Sequence, residues 1–164
     1  MKKLLFYLLF TPLFSLAQEK SSATIKGVVT YYFNSYQGDK PDLGAKIYIV
    51  DSSKFKEYDE DLSFKYDLAK IKKTSPEDPD FKQIDERLYT VLYRLEQSAE
   101  TLSATVDAVG NYSISAPAGT YYLLIQSKGR TGITVTEVKG NIYLTKVRLA
   151  KGQVRDESHN FPLQ

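Results

Sequence analysis

The stretch that decides the fold is residues 106–125, VDAVGNYSISAPAGTYYLLI. Short runs of alternating apolar residues are separated by two turn signals, Val-Gly-Asn and Pro-Ala-Gly. A period of two is typical of half-buried strands, and Gly, Asn and Pro suit tight turns. The stretch therefore predicts consecutive strands of a β-sandwich.

The same alternation extends to both sides of this stretch. We predict seven strands, at residues 23–32, 45–50, 101–106, 111–116, 120–127, 133–138 and 142–149. Most are separated by short turns, which is the spacing of an antiparallel sandwich. The expected fold class is mainly β, a seven-stranded antiparallel sandwich.

Residues 52–100 have a helical pattern instead. Apolar residues recur at steps of three and four, at Phe55, Tyr58, Leu62, Tyr66 and Ala69 and then at Phe81, Ile84, Leu88, Val91 or Leu92, and Leu95. The dipeptides Ser75-Pro76 and Asp78-Pro79 both suit a helix start. This pattern predicts an inserted helical hairpin, which would cover a sheet face or dock to another protein; we favour the cover.

The first seventeen residues predict a cleaved secretory signal peptide. Lys2 and Lys3 precede an apolar run, and small residues lead to a cut after Ala17. The run is too short and too interrupted for a spanning helix, so no membrane span is expected after cleavage. Without a Cys near the cut, the product would not be a lipoprotein. The expected domains are 1–17, the sandwich 18–149 and a partly loose polar tail 150–164.

Charge and cysteine content narrow the function classes. Loss of Lys2 and Lys3 leaves a chain without formal net charge, which argues against nucleic acid as a partner. An exported chain without Cys has no disulfides. The periplasm or outer surface of a Gram-negative bacterium fits these features best.

Several motifs together resemble those of carboxypeptidase regulatory-like domains. These motifs are IKGVV, KPDLGAKIYIVD, VDAVGNYSIS, PAGTYYLLI and NIYLTKVRL, within residues 23–51 and 101–149. The resemblance implies a transthyretin-like, carbohydrate-binding-like sandwich, to which the helical insert would be an unusual addition. We expect the motifs' turn residues to hold the scaffold: Gly44, Asp107, Gly110, Asn111, Pro117 and Gly119.

Catalytic and metal chemistry find little support in the sequence. The single imidazole, His159, lies in the expected tail without a fixed partner. The acidic clusters at residues 59–61 and 77–80 lack the spacing of a calcium loop, so we expect no metal and no cofactor. An internal isopeptide bond between Lys26 and Asn141 is improbable, because the last strand contains no Asn.

Aromatic residues remain the best functional feature. The candidate ligand-binding residues are Tyr32, Phe33, Tyr36 and Asp39, in or next to the loop of residues 34–42. Tyrosines beside polar groups suit sugar or peptide recognition, although one of each pair could simply fill the core. We therefore expect a non-catalytic module that binds an envelope protein or, alternatively, a glycan.

Overall fold

The computed structural model describes residues 22–55, 79–129 and 141–162. This part of the chain forms two stacked β-sheets and one helix. The elements are β1 (Ser22–Asn34), β2 (Gly38–Pro41), β3 (Lys46–Asp51), α1 (Pro79–Gln97), β4 (Leu102–Thr105), β5 (Asn111–Pro117), β6 (Gly119–Gln126), β7 (Ile142–Leu149), β8 (Val154–Asp156) and β9 (His159–Phe161).

The first sheet is antiparallel and has the order β4-β3-β6-β7. Its long central pairing runs from Lys46 opposite Gln126 to Asp51 opposite Tyr121. β-Branched and aromatic residues in these strands favour the extended backbone. We call this the four-stranded sheet.

The second sheet is built around the thirteen-residue strand β1. One edge of β1 pairs antiparallel with β5 over its first half and with β2 over its second half. The other edge pairs in parallel with β8 and β9, which come from the end of the chain. We call this the five-stranded sheet.

The inner core lies between the two sheets. Its side chains come from alternating strand positions, as the period-two pattern predicts: Ile25 and Val29 of β1, Ile47 and Ile49 of β3, and Tyr112, Ile114 and Ala116 of β5 are buried. Each large aliphatic side chain that is removed from water contributes about 1.5–3 kcal/mol. The two bends of the opening stretch connect the sheets, because β5 pairs with β1 whereas β4 and β6 pair with β3.

The outer core lies between the four-stranded sheet and α1. Leu88, Val91, Leu92 and Leu95 of the helix contact Tyr48, Val50, Leu124 and Leu144 of the sheet. The Tyr48 hydroxyl also donates a hydrogen bond to Glu96 Oε1 at 2.7 Å. The helix α1 therefore covers a sheet face, which is the role that the sequence favoured for the insert.

The predicted fold class is wrong in three respects. The described residues contain nine strands rather than seven, and β8 and β9 run parallel to β1. They contain one helix, so a helical hairpin is not shown; the stripe predicted at residues 58–69 lies outside the described part. Six predicted strands are confirmed to within two residues, and the strand predicted at 133–138 also lies outside the described residues.

The expectation of a loose tail is also wrong. Residues 154–156 and 159–161 form strands on β1, and Phe161 is buried in the inner core. The Tyr112 hydroxyl donates to the Glu157 carbonyl at 2.7 Å. Gly27 allows this approach, because a Cβ there would lie 2.7 Å from the same carbonyl oxygen. The missed strands are too short and polar for their pattern to show in the sequence.

Candidate binding surface

One end of the sandwich gathers the turn of residues 106–110, the segment 34–44 and residues 127–129; we call it the loop end. Asp42 is buried there, and its carboxylate accepts hydrogen bonds from Ser127 Oγ, from Lys128 N at 3.0 Å and from Gly129 N at 2.7 Å. A buried carboxylate is tolerated when its oxygens are paired in this way. Asp42 therefore holds two of the loops together.

The predicted turn residues Gly44, Asp107, Gly110 and Asn111 lie in or next to the turns of the loop end. Gly44 and Gly110 adopt positive φ angles of 83° and 91°. Asp107 Oδ1 accepts hydrogen bonds from Val109 N at 3.0 Å and from Asn111 N at 2.8 Å, which closes the turn. Asn111 itself begins β5. These contacts fix the backbone on which surface side chains are presented.

The other bend lies at the opposite end of the sandwich, between Pro117 and Gly119. Pro117 ends β5 and Gly119 begins β6, but Gly119 has no positive φ. A Cβ at Gly119 would lie 3.1 Å from the Tyr121 ring, which is a tight contact, so the glycine leaves room for that ring. The Tyr121 hydroxyl donates to the Pro117 carbonyl at 2.9 Å and braces the bend.

Tyr36 is the most exposed large hydrophobic side chain of the described loop end. It lies in the turn between β1 and β2, and 97% of its surface is exposed. Asn34 Oδ1 accepts hydrogen bonds from Tyr36 N at 3.0 Å and from Gln37 N at 2.8 Å, and Gly38 leaves the turn with φ 63°. The ring is therefore presented to solvent from a backbone held in place.

Phe33 forms an aromatic patch beside this turn. Its ring is 45% exposed, the Lys40 ammonium lies 3.7 Å from the ring centroid, and Tyr31 packs edge-on at 6.3 Å. A cation over an exposed ring contributes about 0.5–1 kcal/mol. We call Phe33, Tyr36 and Lys40 the aromatic surface.

Tyr32 and Asp39 lie on a different face. They are directly opposite each other in the β1–β2 pairing, on the outer face of the five-stranded sheet. Asp39 Oδ2 accepts a hydrogen bond from Asn160 Nδ2 at 2.9 Å, across β1. The four predicted residues are thus split, with Tyr32 and Asp39 beside Asn160 and Phe33 on the opposite side of the strand.

His159 was missed as part of this region. It lies in β9, stacked on the Tyr143 ring at 3.9 Å with Phe161 edge-on at 4.5 Å. The same face of β1 carries Tyr31 opposite Phe161. Phe161 is buried, and the rings of Tyr31, Tyr143 and His159 around it are half-buried. The alternation of His159 and Phe161 was the available signal, but three residues are too few to predict a strand.

Other candidate chemistry gains no support from the described residues. Lys26 is exposed, whereas Asn141 is buried next to the other sheet and accepts a hydrogen bond from the Tyr89 hydroxyl at 2.5 Å. This arrangement does not bring the two together for an isopeptide bond. The acidic residues 59–61 and 77–78 lie outside the described part, which itself holds no metal-type cluster of His, Asp or Glu. No helix there has the length and apolar character to cross a bilayer.

Comparison with family models and with curated proteins found no match. Among solved structures, a minor pilin of Streptococcus agalactiae is similar at 12% identity over 87% of this chain and 44% of the pilin, with a TM-score of 0.41. A candidate carbohydrate-binding protein of Pseudomonas aeruginosa is similar at 18% identity over 87% of this chain and 89% of that protein, with a TM-score of 0.43.

A third similar structure is the full-length major pilin of Streptococcus pneumoniae, at 14% identity over 85% of this chain and 30% of the pilin, with a TM-score of 0.36. This chain spans less than half the length of either pilin. We draw no functional conclusion from similarities at this level.

Proposed function

We propose that this chain is an exported, non-catalytic binding module that contacts a protein partner through the aromatic surface. The observation that carries the proposal is Tyr36, 97% exposed on a turn that Asn34 holds with two hydrogen bonds. A tyrosine on a fixed backbone gives a large contact area at a low cost in conformational entropy. Tyrosine is also enriched among the residues that dominate protein interfaces.

Phe33 and Lys40 extend this contact. The Phe33 ring offers exposed apolar area, and the Lys40 ammonium above it adds a positive charge at the border. An apolar centre with a polar rim is the usual anatomy of a protein interface. The partner expected from this chemistry is an acidic or neutral surface with an apolar pocket for Tyr36.

Export and location are the sequence-based part of the proposal. The pattern of residues 1–17 supports secretion with a cut after Ala17, to the periplasm or outer surface of a Gram-negative envelope. The partner is then an envelope protein. Kinship with carboxypeptidase regulatory-like domains belongs to the same proposal, and the sandwich architecture supports it.

The test is site-specific crosslinking in the native host. A photoreactive phenylalanine analogue at Tyr36 should give a protein crosslink, whereas the same analogue at the exposed Val154 on β8 should not. A third position, the exposed Tyr93 on α1, asks whether the insert docks instead. Equal crosslinking at positions 36 and 154 would contradict the proposal.

Glycan binding is the second candidate function. It is favoured by Tyr32, Asp39 and Asn160, which place an aromatic ring, a carboxylate and an amide on one face. Such a set can stack on a sugar and bind its hydroxyls. A glycan array should detect glycan binding, and Asp39→Asn should weaken it. If Tyr36→Ala also abolished glycan binding, the two faces would belong to one site.

A further inference from the structure

A cleft of about 420 Å³ lies at the end of the sandwich opposite the loop end. It opens where β3 ends, β4 begins and β5 bends into β6, and its volume is in the range of ligand sites. We call it the end cleft. Its lining includes Ile49, Asp51, Lys54, Glu100, Leu102 and Pro117.

The walls of the end cleft suit an aliphatic chain. Ile49, Leu102, Pro117 and Tyr121 line it, and Leu102 is an exposed apolar side chain. The Tyr121 hydroxyl is engaged by the Pro117 carbonyl, so this side chain adds an apolar wall. An unbranched methylene stem would cover this surface while its polar head stays in water.

The charges of the end cleft sum to one negative. Lys54 Nζ and Glu100 Oε2 form an ion pair at 2.8 Å and offset each other. Asp51 makes no ion pair among the described residues, although the Lys54 charge acts on it; its Oδ1 accepts hydrogen bonds from Ser53 N at 2.8 Å and from Ser53 Oγ at 2.6 Å. The bonds from Ser53 and, to a smaller extent, the charge of Lys54 hold the pKa of Asp51 below its usual value, so the carboxylate is charged at neutral pH. No hydrogen bond from a described residue reaches Asp51 Oδ2, which leaves this oxygen for a cation.

The edge of β5 that faces away from β1 pairs with no strand of residues 22–55, 79–129 and 141–162, and it leads to the end cleft at Pro117. Alternate residues of β5 bond to β1, namely Tyr112, Ile114 and Ala116, which leaves the backbone groups of Ser113 and Ser115 pointing away from the sheet. Both serines are exposed, and the strand has no Lys, no bulge and no Pro before Pro117. Strand edges usually have such protection when they do not pair.

We propose that the end cleft binds the basic side chain of an extended peptide whose backbone pairs with the free edge of β5. The aliphatic stem packs on Leu102, Pro117 and Tyr121, and the ammonium or guanidinium group binds Asp51. Backbone pairing of this kind supplies affinity while a side-chain pocket supplies selectivity. The site is at the other end of the sandwich from the aromatic surface, so it does not depend on the function proposed above.

The experiment is an amide-NMR titration of ¹⁵N-labelled protein with three probes: a five-residue extended peptide with a central lysine, its norleucine counterpart, and butylamine. The lysine peptide should shift the amides of Asp51, Leu102, Ser113 and Ser115. The norleucine peptide should bind about three- to fivefold more weakly, as for loss of one exposed ion pair.

Three variants sharpen the test. Asp51→Asn should weaken binding of the lysine peptide about three- to fivefold. Lys54→Gln should strengthen this binding, because Glu100 loses its cation. Asp156→Asn is the matched control. Asp156 Oδ1 accepts hydrogen bonds from Ser158 N and Ser158 Oγ, which is the same local arrangement that Asp51 has with Ser53. Its binding should equal that of the parent protein.

Each outcome decides the proposal. Equal effects of Asp51→Asn and Asp156→Asn, or no shift with the lysine peptide, would overturn it. A second contrary result is that butylamine shifts the cleft amides as strongly as the peptide does, with no change at Ser113 and Ser115. That result would assign the cleft to a small amine and would contradict the proposed peptide binding. These results leave the crosslinking test at Tyr36 unaffected.

Discussion

The two faces of the four-stranded sheet bury neighbouring residues in different cores. Leu123 points into the inner core and Leu124 into the outer core, and both are fully buried. At the edge of the five-stranded sheet the inner core is covered by β8 and β9, which pair with β1 through backbone hydrogen bonds. The outer core is closed by α1 through side-chain packing. The two faces of β6 are therefore buried in different ways, one by a second sheet held together by backbone pairing and the other by the side chains of a helix.

The largest expected effect comes from comparing Leu123→Ala with Leu124→Ala. Each removes a buried leucine and should lower the free energy of unfolding by about 2–5 kcal/mol. We expect Leu123→Ala to cost more, because two hydrogen-bonded sheets cannot move into the cavity, whereas α1 can shift on its sheet. Urea unfolding of both variants gives the difference.

Hydrogen exchange adds a control to this pair. Leu124→Ala should lower the protection of α1 amides more than that of β8 and β9 amides, because α1 packs on that face whereas β8 and β9 do not. If both variants lowered protection uniformly, the two cores would be one cooperative unit and the comparison would fail.

A smaller effect is expected from Gly27→Val, which acts on the backbone cover of the inner core. Its Cβ would lie 2.7 Å from the Glu157 oxygen, so the tail must move away from β1. We expect a loss of about 1–3 kcal/mol, as for overpacking, with faster proteolysis of the tail. Limited proteolysis and urea unfolding measure the two effects.

Lys26→Val is the matched control for this substitution. Lys26 is next in the strand and exposed, so valine there adds the same β-branched side chain without meeting Glu157. If the tail were cleaved equally fast in both variants, the close approach of Glu157 to Gly27 would not be what holds β8 against β1.

The smallest expected effect concerns one tyrosine in each core. Burial raises the pKa of Tyr112, which the charges of Glu157 and Asp156 raise further. Burial also raises the pKa of Tyr48, and the hydrogen bond to Glu96 adds to this effect. Tyr112→Phe and Tyr48→Phe should each cost about 1 kcal/mol at pH 7 through the lost hydrogen bond.

The pH dependence follows from the direction of these shifts. Below the ordinary tyrosine pKa of 10.0 both phenols are neutral in the folded and unfolded states, and their contribution to stability is complete. As the pH rises above that value the unfolded chain ionises first, so stability falls. Urea unfolding between about pH 8 and 11 should show this fall, reduced in each Phe variant; unchanged slopes would contradict it.

Much of the sandwich could be predicted, because strand alternation is local information. The buried faces of β1, β3 and β5 follow from the period of two, and the turn at Asp107 and Gly110 follows from turn chemistry. Pro79, where α1 begins, is in one of the two dipeptides that suit a helix start, and the buried Leu88, Val91 and Leu95 follow from the helical period. Each of these features depends on residues that are close in the chain.

The candidate site could be predicted only in part. Tyr36 was identified from composition, and its exposure follows from its place in a turn. The sequence grouped Phe33 with Tyr32 and Asp39, but successive strand residues point to opposite faces, and the partner Asn160 comes from the end of the chain. The register of β1 and β2 places Asp39 opposite Tyr32, so these two residues share a face from which the neighbouring Phe33 points away.

By itself the sequence determined six of the nine described strands, the residues of those strands that face inward and the turns at residues 107–110 and 117–119. The tertiary structure alone decided that β8 and β9 pair with β1, that His159 stacks on Tyr143, and that Tyr48 and Leu124 are buried by α1. Local patterns record the preferences of a segment for helix, strand or turn. Which distant segment covers it depends on backbone hydrogen bonds and apolar contacts that no short stretch of sequence contains.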